Sequence, residues 1–439
     1  MEDCDLIIKG KYLLSMDDKS TVIREGAVAV KGKKIAALGR AKDVESSFKT
    51  KETINSKNSI IMPGLINTHT HAAMSYFRGL ADDLPLQTWL EKYIWPAEAK
   101  YVKPEFVKNA SELACLEMAK AGITFFNDMY FFSSITAEVC RQAGLRALLS
   151  DAIIDFPAPS YKNVDEALCL LEELCKKYKN DEFINISAQP HSIYACSGNT
   201  LIRIKEMASK YDLPIHIHVS ETSREVKNSQ EKYGKSPVEY LDSLGLLSGK
   251  TIAAHSVWLD DKDLEIYKKR NVKVSHNPVS NMKLSSGVAP VRKMQEMKIA
   301  VGLGTDSVAS NNSLDIFSDM KVCALLHKIN SQDPTALKAG EIVEMATINA
   351  AKVVGMEKEI GSLEAGKKAD IITINLNKPH LIPIYDLYSH LVYCANSSDV
   401  ENVIVNGKIL VKNREAKTMD EEKILKKANK FNIKKELTQ

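Results

Sequence analysis

The feature that most restricts the fold is a rhythm. From about residue 61 to 355, a short apolar run is followed by a longer stretch with helical spacing, over and over. Eight runs qualify as strands: GLINTH, GITFFNDM, RALLSDAII, INISAQPHS, PIHIHVSE, TIAAHSV, VKVSHNP and AVGLGTDS. Helical patterns such as PEFVKNASELACLEMAKA, VDEALCLLEELCKKY and NTLIRIKEMASKY lie between them. Strands that alternate with helices pair in parallel, because the helix carries the chain back to the start of the next strand. Eight of them predict a closed (β/α)8 barrel. A doubly wound sheet would carry a glycine-rich phosphate turn after an early strand, and none is present.

On either side the texture changes. DLIIKGKYLLSMD, GAVAVKGKKIAALG and INSKNSIIMPG alternate apolar and polar positions and break at glycines, with Lys-Gly and Gly-Lys turns expected there. The same pattern returns in GSLEAGKKADIITINL and VENVIVNGKILV. We therefore expect residues 1–60 and 356–415 to build one small β-sandwich from both chain ends, around a barrel over 61–355. Residues 416–439 form a helical tail in this reading. There Lys423, Lys426, Lys427, Lys430, Lys434 and Lys435 alternate with Ile424, Leu425, Phe431 and Ile433, the pattern of an amphipathic surface helix.

Charge and composition remove whole function classes. The chain has 59 basic and 56 acidic residues, a formal charge of +3, and the charges are interspersed, so no nucleic-acid partner is expected. No apolar run reaches the roughly 18 residues of a membrane helix, and MEDCDLIIKGKYLLSMDD carries acids where a secretory leader needs bases. No membrane partner and a cytoplasmic location are expected. Eight cysteines without a CxxC argue against a disulfide framework or a thiolate zinc site. Cys115, Cys140 and Cys169 read as small buried hydrophobes.

Titratable residues gather at the strand ends. Eight of the ten histidines (His69, His71, His191, His216, His218, His255, His276 and His327) fall in the barrel region, seven of them in or just after a strand. The C-terminal strand ends form the functional face of such a barrel. His69 and His71 are two apart on a strand, so both imidazoles point to one side and reach one metal. A single H-x-H also fits ordinary core alternation, but later strands offer more ligands. His218, with Glu221 three residues on, brings a third nitrogen and an acid-base carboxylate. Asp306 brings an oxygen ligand, although TDS before a helical run also reads as a helix cap. Three neutral imidazoles and a carboxylate suit Zn²⁺, or Fe²⁺ in its place, with a position open for water. His216 and His276 read as inward-facing packing residues, and His327 as structural.

These motifs carry a resemblance. PGLINTHTH, HIHVSE, AAH and GTDS, in that order, resemble the amidohydrolase superfamily, in its cytosine-deaminase-like branch of mononuclear metal deaminases. The fourth strand ends in QPHS, with no lysine where dinuclear members carry a carboxylated bridging lysine. Longer stretches, THTHAAMSYFRGLADDLPLQTWLEKYIWPAEAKY, QPHSIYACS, HIHVSET, HNPVSNMKLSSGVAPV and GLGTDSVASNNSLDIFSDMK, are similar to 5-methylthioadenosine/S-adenosylhomocysteine deaminases over nearly the whole chain.

The resemblance implies that His69, His71, His218 and Asp306 hold one divalent ion, and that the chain forms a homo-oligomer. It also implies that Glu98 bonds the ribose hydroxyls, His191 bonds the purine, and Trp89 packs against the nucleoside. The reaction implied is hydrolytic deamination at C6 of 5-methylthioadenosine, S-adenosylhomocysteine, adenosine or 5'-deoxyadenosine. In that scheme coordination lowers the pKa of water toward about 7. Asp306 takes the water's proton, His255 hydrogen-bonds the hydroxide that attacks C6, and Glu221 protonates N1. The proton on Asp306 then leaves with ammonia. A guanine or 8-oxoguanine deaminase would keep the same metal core; only Glu98, Trp89 and His191 favour a nucleoside over a free base.

One departure bears on the substrate. Members that accept S-adenosylhomocysteine generally place an arginine just after the third strand. Here Ser150 and Asp151 stand at that point, and Arg146 lies within the strand. An aspartate repels a carboxylate at close range, so uncharged 5'-substituents are expected to be preferred.

Overall fold

The computed structural model describes residues 1–84 and 86–431. All eight runs are strands, numbered here β1 (Leu65–Thr70), β2 (Ile123–Tyr130), β3 (Arg146–Asp151), β4 (Ile184–Ile186), β5 (Ile215–Val219), β6 (Thr251–His255), β7 (Lys273–His276) and β8 (Val301–Leu303). They pair in parallel as two four-stranded sheets, β4-β3-β2-β1 and β5-β6-β7-β8. Parallel bridges Thr70 to Asp306 and Ala188 to Ile215 join the two sheets along both edges. Every residue of β1, β2, β3, β5 and β6 is buried, as expected of a parallel sheet covered on both faces.

The seam between β1 and β8 is polar. Asn67 Nδ2 donates to Thr305 Oγ1 at 2.8 Å, and its Oδ1 accepts the Thr305 N–H at 3.0 Å. Gly304 lets the chain pass there, because a Cβ would stand 2.6 Å from Ser275 Oγ and 2.8 Å from the His69 nitrogen. Asp306 is thereby drawn against β1.

Both chain ends enter one mixed eight-stranded sheet. Its spatial order is 415–416, 408–412, 400–405, 371–375, 52–63, 6–14, 22–31 and 34–40. The expected break at Gly10 does not occur: Leu6–Leu14 is a single strand. A Cβ at Gly10 would lie 2.9 Å from the Ser59 carbonyl oxygen, and the register against the neighbouring strand shifts between Gly10 and Tyr12. The glycine marks a bulge with close backbone approach rather than a turn.

Arg146, at the start of β3, ties this sheet to the β1–β4 sheet. Its side chain is fully buried, with Nε donating to Asp370 Oδ2 at 2.7 Å and Nη2 to Asn406 Oδ1 at 2.6 Å. Asp370→Ala would leave a buried guanidinium without its counter-charge, at a cost of about 3–5 kcal/mol. Urea unfolding should show that loss, and a change below about 1 kcal/mol would refute the role given to the pair.

The helix Glu421–Lys430 buries Ile424 and lies on the helix Pro104–Lys120, where Lys427 pairs with Glu112 at 2.7 Å. Phe431 stacks near Tyr76 and Phe106, at 4.8 and 5.3 Å between ring centroids. Ile433, Lys434 and Lys435 lie outside the described residues. All eight cysteines are unpaired; Cys115 and Cys140 are buried as expected, but Cys169 is exposed. It sits off the Ala167, Leu168, Leu171, Leu174 stripe that faces the core. Among the described residues no helix is long and apolar enough to cross a membrane.

Candidate active site

Four strand ends converge on one point. The His69 ring lies 4.9 Å from those of His71 and His218, and 5.5 Å from that of His255. Donor atoms of His69, His71 and His218 lie within 4.8 Å of one another, as do those of His69, His255 and Asp306. Asp306 Oδ1 stands 3.2 Å from both His69 Nε2 and His71 Nε2. His255 (φ 69°) and Asp306 (φ 60°) adopt left-handed backbone, a strain of about 1–3 kcal/mol each that neighbouring strands must hold in place. That turn aims both side chains back over the strand ends.

The imidazoles are oriented from behind. His71 Nδ1 donates to the Met129 carbonyl, and His218 Nδ1 donates to the His191 carbonyl at 2.7 Å. A carbonyl only accepts, so Nδ1 carries a proton in both rings and Nε2 is the nitrogen directed at the centre. His255 Nδ1 is held by Asn281 Oδ1 at 2.8 Å, and His69 Nδ1 meets His216 Nε2 at 3.0 Å. His69 Nε2 is buried with no hydrogen-bond partner, the state of a ligand atom reserved for a cation. Burial pulls His69 down to about 4 and His218 well below the ordinary histidine range, so both are neutral donors. The donor set thus fits a divalent ion.

The carboxylates divide into two kinds. Burial pushes Asp306 up, but the imidazoles of His69 and His71 outweigh it and hold the group well below the usual carboxylate range. Its second oxygen accepts from Ser280 Oγ at 2.6 Å and Ser310 Oγ at 2.9 Å. Glu221 is raised instead, by burial, despite His255 Nε2 4.0 Å away. Glu225 fixes its backbone, accepting the N–H groups of Ser220 at 3.1 Å and Glu221 at 2.8 Å. The two carboxyls thus differ: Asp306 is held ionised, whereas Glu221 keeps its proton to higher pH than an ordinary glutamate.

A cavity of about 520 Å³ opens from this centre, lined among others by Trp89, Glu98, His191, Glu221, His255 and Asp306. The nine residues given a ligand, proton-transfer or substrate role in the sequence meet here, with His69 fully buried just behind the wall. Trp89 Nε1 is buried without a hydrogen-bond partner among the described residues. Burial raises the Glu98 carboxyl to about 7, with Tyr130 beside it pulling back.

The chain matches the Amidohydrolase family over residues 60–410. It belongs to that family. It is 46% identical over 424 residues to a 5-methylthioadenosine/S-adenosylhomocysteine deaminase of Thermodesulfovibrio yellowstonii, covering 96% of this chain and 97% of the relative. A 5'-deoxyadenosine deaminase of Methanosarcina acetivorans is 46% identical over 430 residues, covering 97% and 96%. The crystal structure of an adenosine deaminase from Xanthomonas campestris with bound zinc superposes with a TM-score of 0.96 at 36% identity, over 98% of each chain.

In this amidohydrolase Asp151 does not face the ligand space. Its carboxylate accepts the N–H groups of Phe132 at 3.1 Å and Ser133 at 2.8 Å, and a hydrogen bond from Ser160 Oγ at 2.5 Å. It holds the start of the helix Ser133–Ala143, and the cavity wall beyond β3 is made by Ala152 and Ile154. The expected direct repulsion of a substrate carboxylate by Asp151 therefore has no geometric basis. His276 and His327 form a separate buried pair with Nε2 atoms 3.1 Å apart, near Cys323.

Several contributors escaped the sequence reading. Asn281, Ser280, Ser310 and Glu225 come from loops and helices after β5, β7 and β8, where no spacing rule ties them to the histidines. For Glu225 a signal existed: Thr222 caps its helix, and a glutamate three residues after a cap turns back toward it.

Proposed function

We propose that this amidohydrolase is a metal-dependent deaminase that hydrolyses adenosine derivatives at C6 to the inosine analogue and ammonia. The observation that carries it is the cluster of imidazoles and one low-pKa carboxylate at the floor of a cavity. That cavity is also lined by Glu98 and Trp89. His69, His71, His218 and Asp306 are the ligands in this reading, for Zn²⁺ or Fe²⁺, which when bound makes water acidic enough to serve as nucleophile near neutral pH. Asp306 accepts the proton of the attacking water. His255, oriented by Asn281, hydrogen-bonds the water oxygen, and Glu221 delivers a proton to N1 as C6 becomes tetrahedral. The proton on Asp306 passes to the leaving amine, and as ammonia departs the C6 hydroxyl proton returns to Glu221, which leaves the keto product and the starting protonation state. His191 bonds the purine, Glu98 the ribose hydroxyls, and Trp89 packs on the nucleoside. A free guanine would leave the Trp89 and Glu98 end of the cavity empty.

We take the eight parallel strands as a closed barrel, since bridges span both seams. We take the terminal sheet as a sandwich folded on itself, since Ile35 and Ile404, from strands far apart in its order, share one core cluster. We divide the chain accordingly as 1–60 with 356–415, 61–355 and 416–439. A homo-oligomer working in the cytoplasm completes the proposal.

The test is ammonia release from adenosine, 5-methylthioadenosine, 5'-deoxyadenosine, S-adenosylhomocysteine, guanine and 8-oxoguanine, with metal content measured in parallel. Chelation should abolish release, and Zn²⁺ or Fe²⁺ should restore it. Turnover of guanine alone would replace the nucleoside reading with the free-base one.

A further inference from the structure

We infer that the mouth of the cavity is a binding site for a neutral, apolar 5'-substituent, with Trp95 and Phe156 as its specificity-determining residues. The inference rests on the deaminase reading, in which the purine lies at the strand ends and Glu98 holds the ribose. Trp95 precedes Glu98 by three residues on the helix Trp95–Tyr101, so it lies on the same face, one turn farther out. Phe156 comes from the loop after β3 and approaches it, with ring centroids 6.4 Å apart at 64°. Both line the cavity, yet Trp95 is 41% and Phe156 46% exposed. Two large aromatic faces left open inside a ligand cavity are apolar surface for a ligand to cover.

Charge sharpens the assignment. Among the described residues that line the cavity there is no lysine or arginine. Arg146 is held by Asp370 at the far end of β3, so no lysine or arginine among the described lining residues is offered to a carboxylate. A 5'-thioether or 5'-alkyl group meets aromatic carbon, and sulfur gains further from ring contact. The amino-acid tail of S-adenosylhomocysteine would bring a carboxylate against the same rings without a counter-charge, which is costly. The preference for uncharged substituents thus comes from aromatic walls and missing cations, not from Asp151.

The test compares kcat/KM for 5-methylthioadenosine, adenosine and S-adenosylhomocysteine in the wild type, Trp95→Ala, Trp95→Phe and Phe156→Ala. Wild-type protein should favour 5-methylthioadenosine over S-adenosylhomocysteine by about tenfold or more. The ratio of 5-methylthioadenosine to adenosine should fall about tenfold in Trp95→Ala and Phe156→Ala, through KM, with Trp95→Phe restoring most of it. Calorimetric binding of 5'-methylthioinosine against inosine should show the same ratios without turnover. Equal or better use of S-adenosylhomocysteine by the wild type, or variants that lower both substrates alike, would overturn the assignment. If no adenosine releases ammonia, the deaminase reading fails, and the product-binding ratios still decide the subsite.

Discussion

Turnover of 5-methylthioadenosine by the Asp306→Asn variant is expected to fall by about a thousandfold or more. Asp306 stands 3.2 Å from two imidazole nitrogens through one oxygen and accepts from Ser280 and Ser310 through the other. Asparagine keeps the shape, and serine hydroxyls can accept as well as donate, so the fold should tolerate the exchange. What disappears is a basic oxygen able to take a proton from water near neutral pH. Circular dichroism would show an intact fold, and elemental analysis would report how much metal remains. Activity within tenfold of wild type, with metal bound, would remove Asp306 from the proton path.

Glu221→Gln should lower kcat by about 10²- to 10⁴-fold with metal content unchanged, because Glu221 is assigned no ligand role. Its carboxyl is raised by burial, so the protonated form that can give its proton to N1 persists to higher pH than in an ordinary glutamate. Activity that depends on this acid declines as pH rises through its pKa. Glutamine has no such titration, so the alkaline limb set by Glu221 should vanish along with the rate. A variant with near-normal turnover and an unaltered pH profile would show that another group protonates the purine.

Much of this centre was legible because its chemistry is tied to local sequence. His69 and His71 share a face through the two-residue period of a strand. His218, His255 and Asp306 were found by sitting where apolar runs end, which is where a parallel sheet of this kind presents its functional groups. Other assignments failed for want of a third dimension. Asp151 occupies the right strand end, but the start of the next helix offers it two unsatisfied N–H groups, and that demand turns its carboxylate out of the cavity. Cys169 has helical spacing, but one residue of rotation separates the buried stripe from solvent. Gly10 looked like a turn, since a glycine that permits close approach and one that permits a turn are the same residue in sequence.

The sequence by itself determined the order of elements, the parallel pairing they demand, and the identity of the groups able to bind a metal and move protons. Periodicity, turn chemistry and side-chain donor type are local properties, so they survive reading in one dimension. Only the tertiary structure decided which lone pairs face inward, since the Met129, His191 and Asn281 partners that fix the imidazoles come from other strands and loops. It alone set the Asp306 carboxyl low and the Glu221 carboxyl high, because a carboxyl's pKa depends on what is packed around it. It alone set Trp95 opposite Phe156 at the mouth, with no lysine or arginine among the described lining residues.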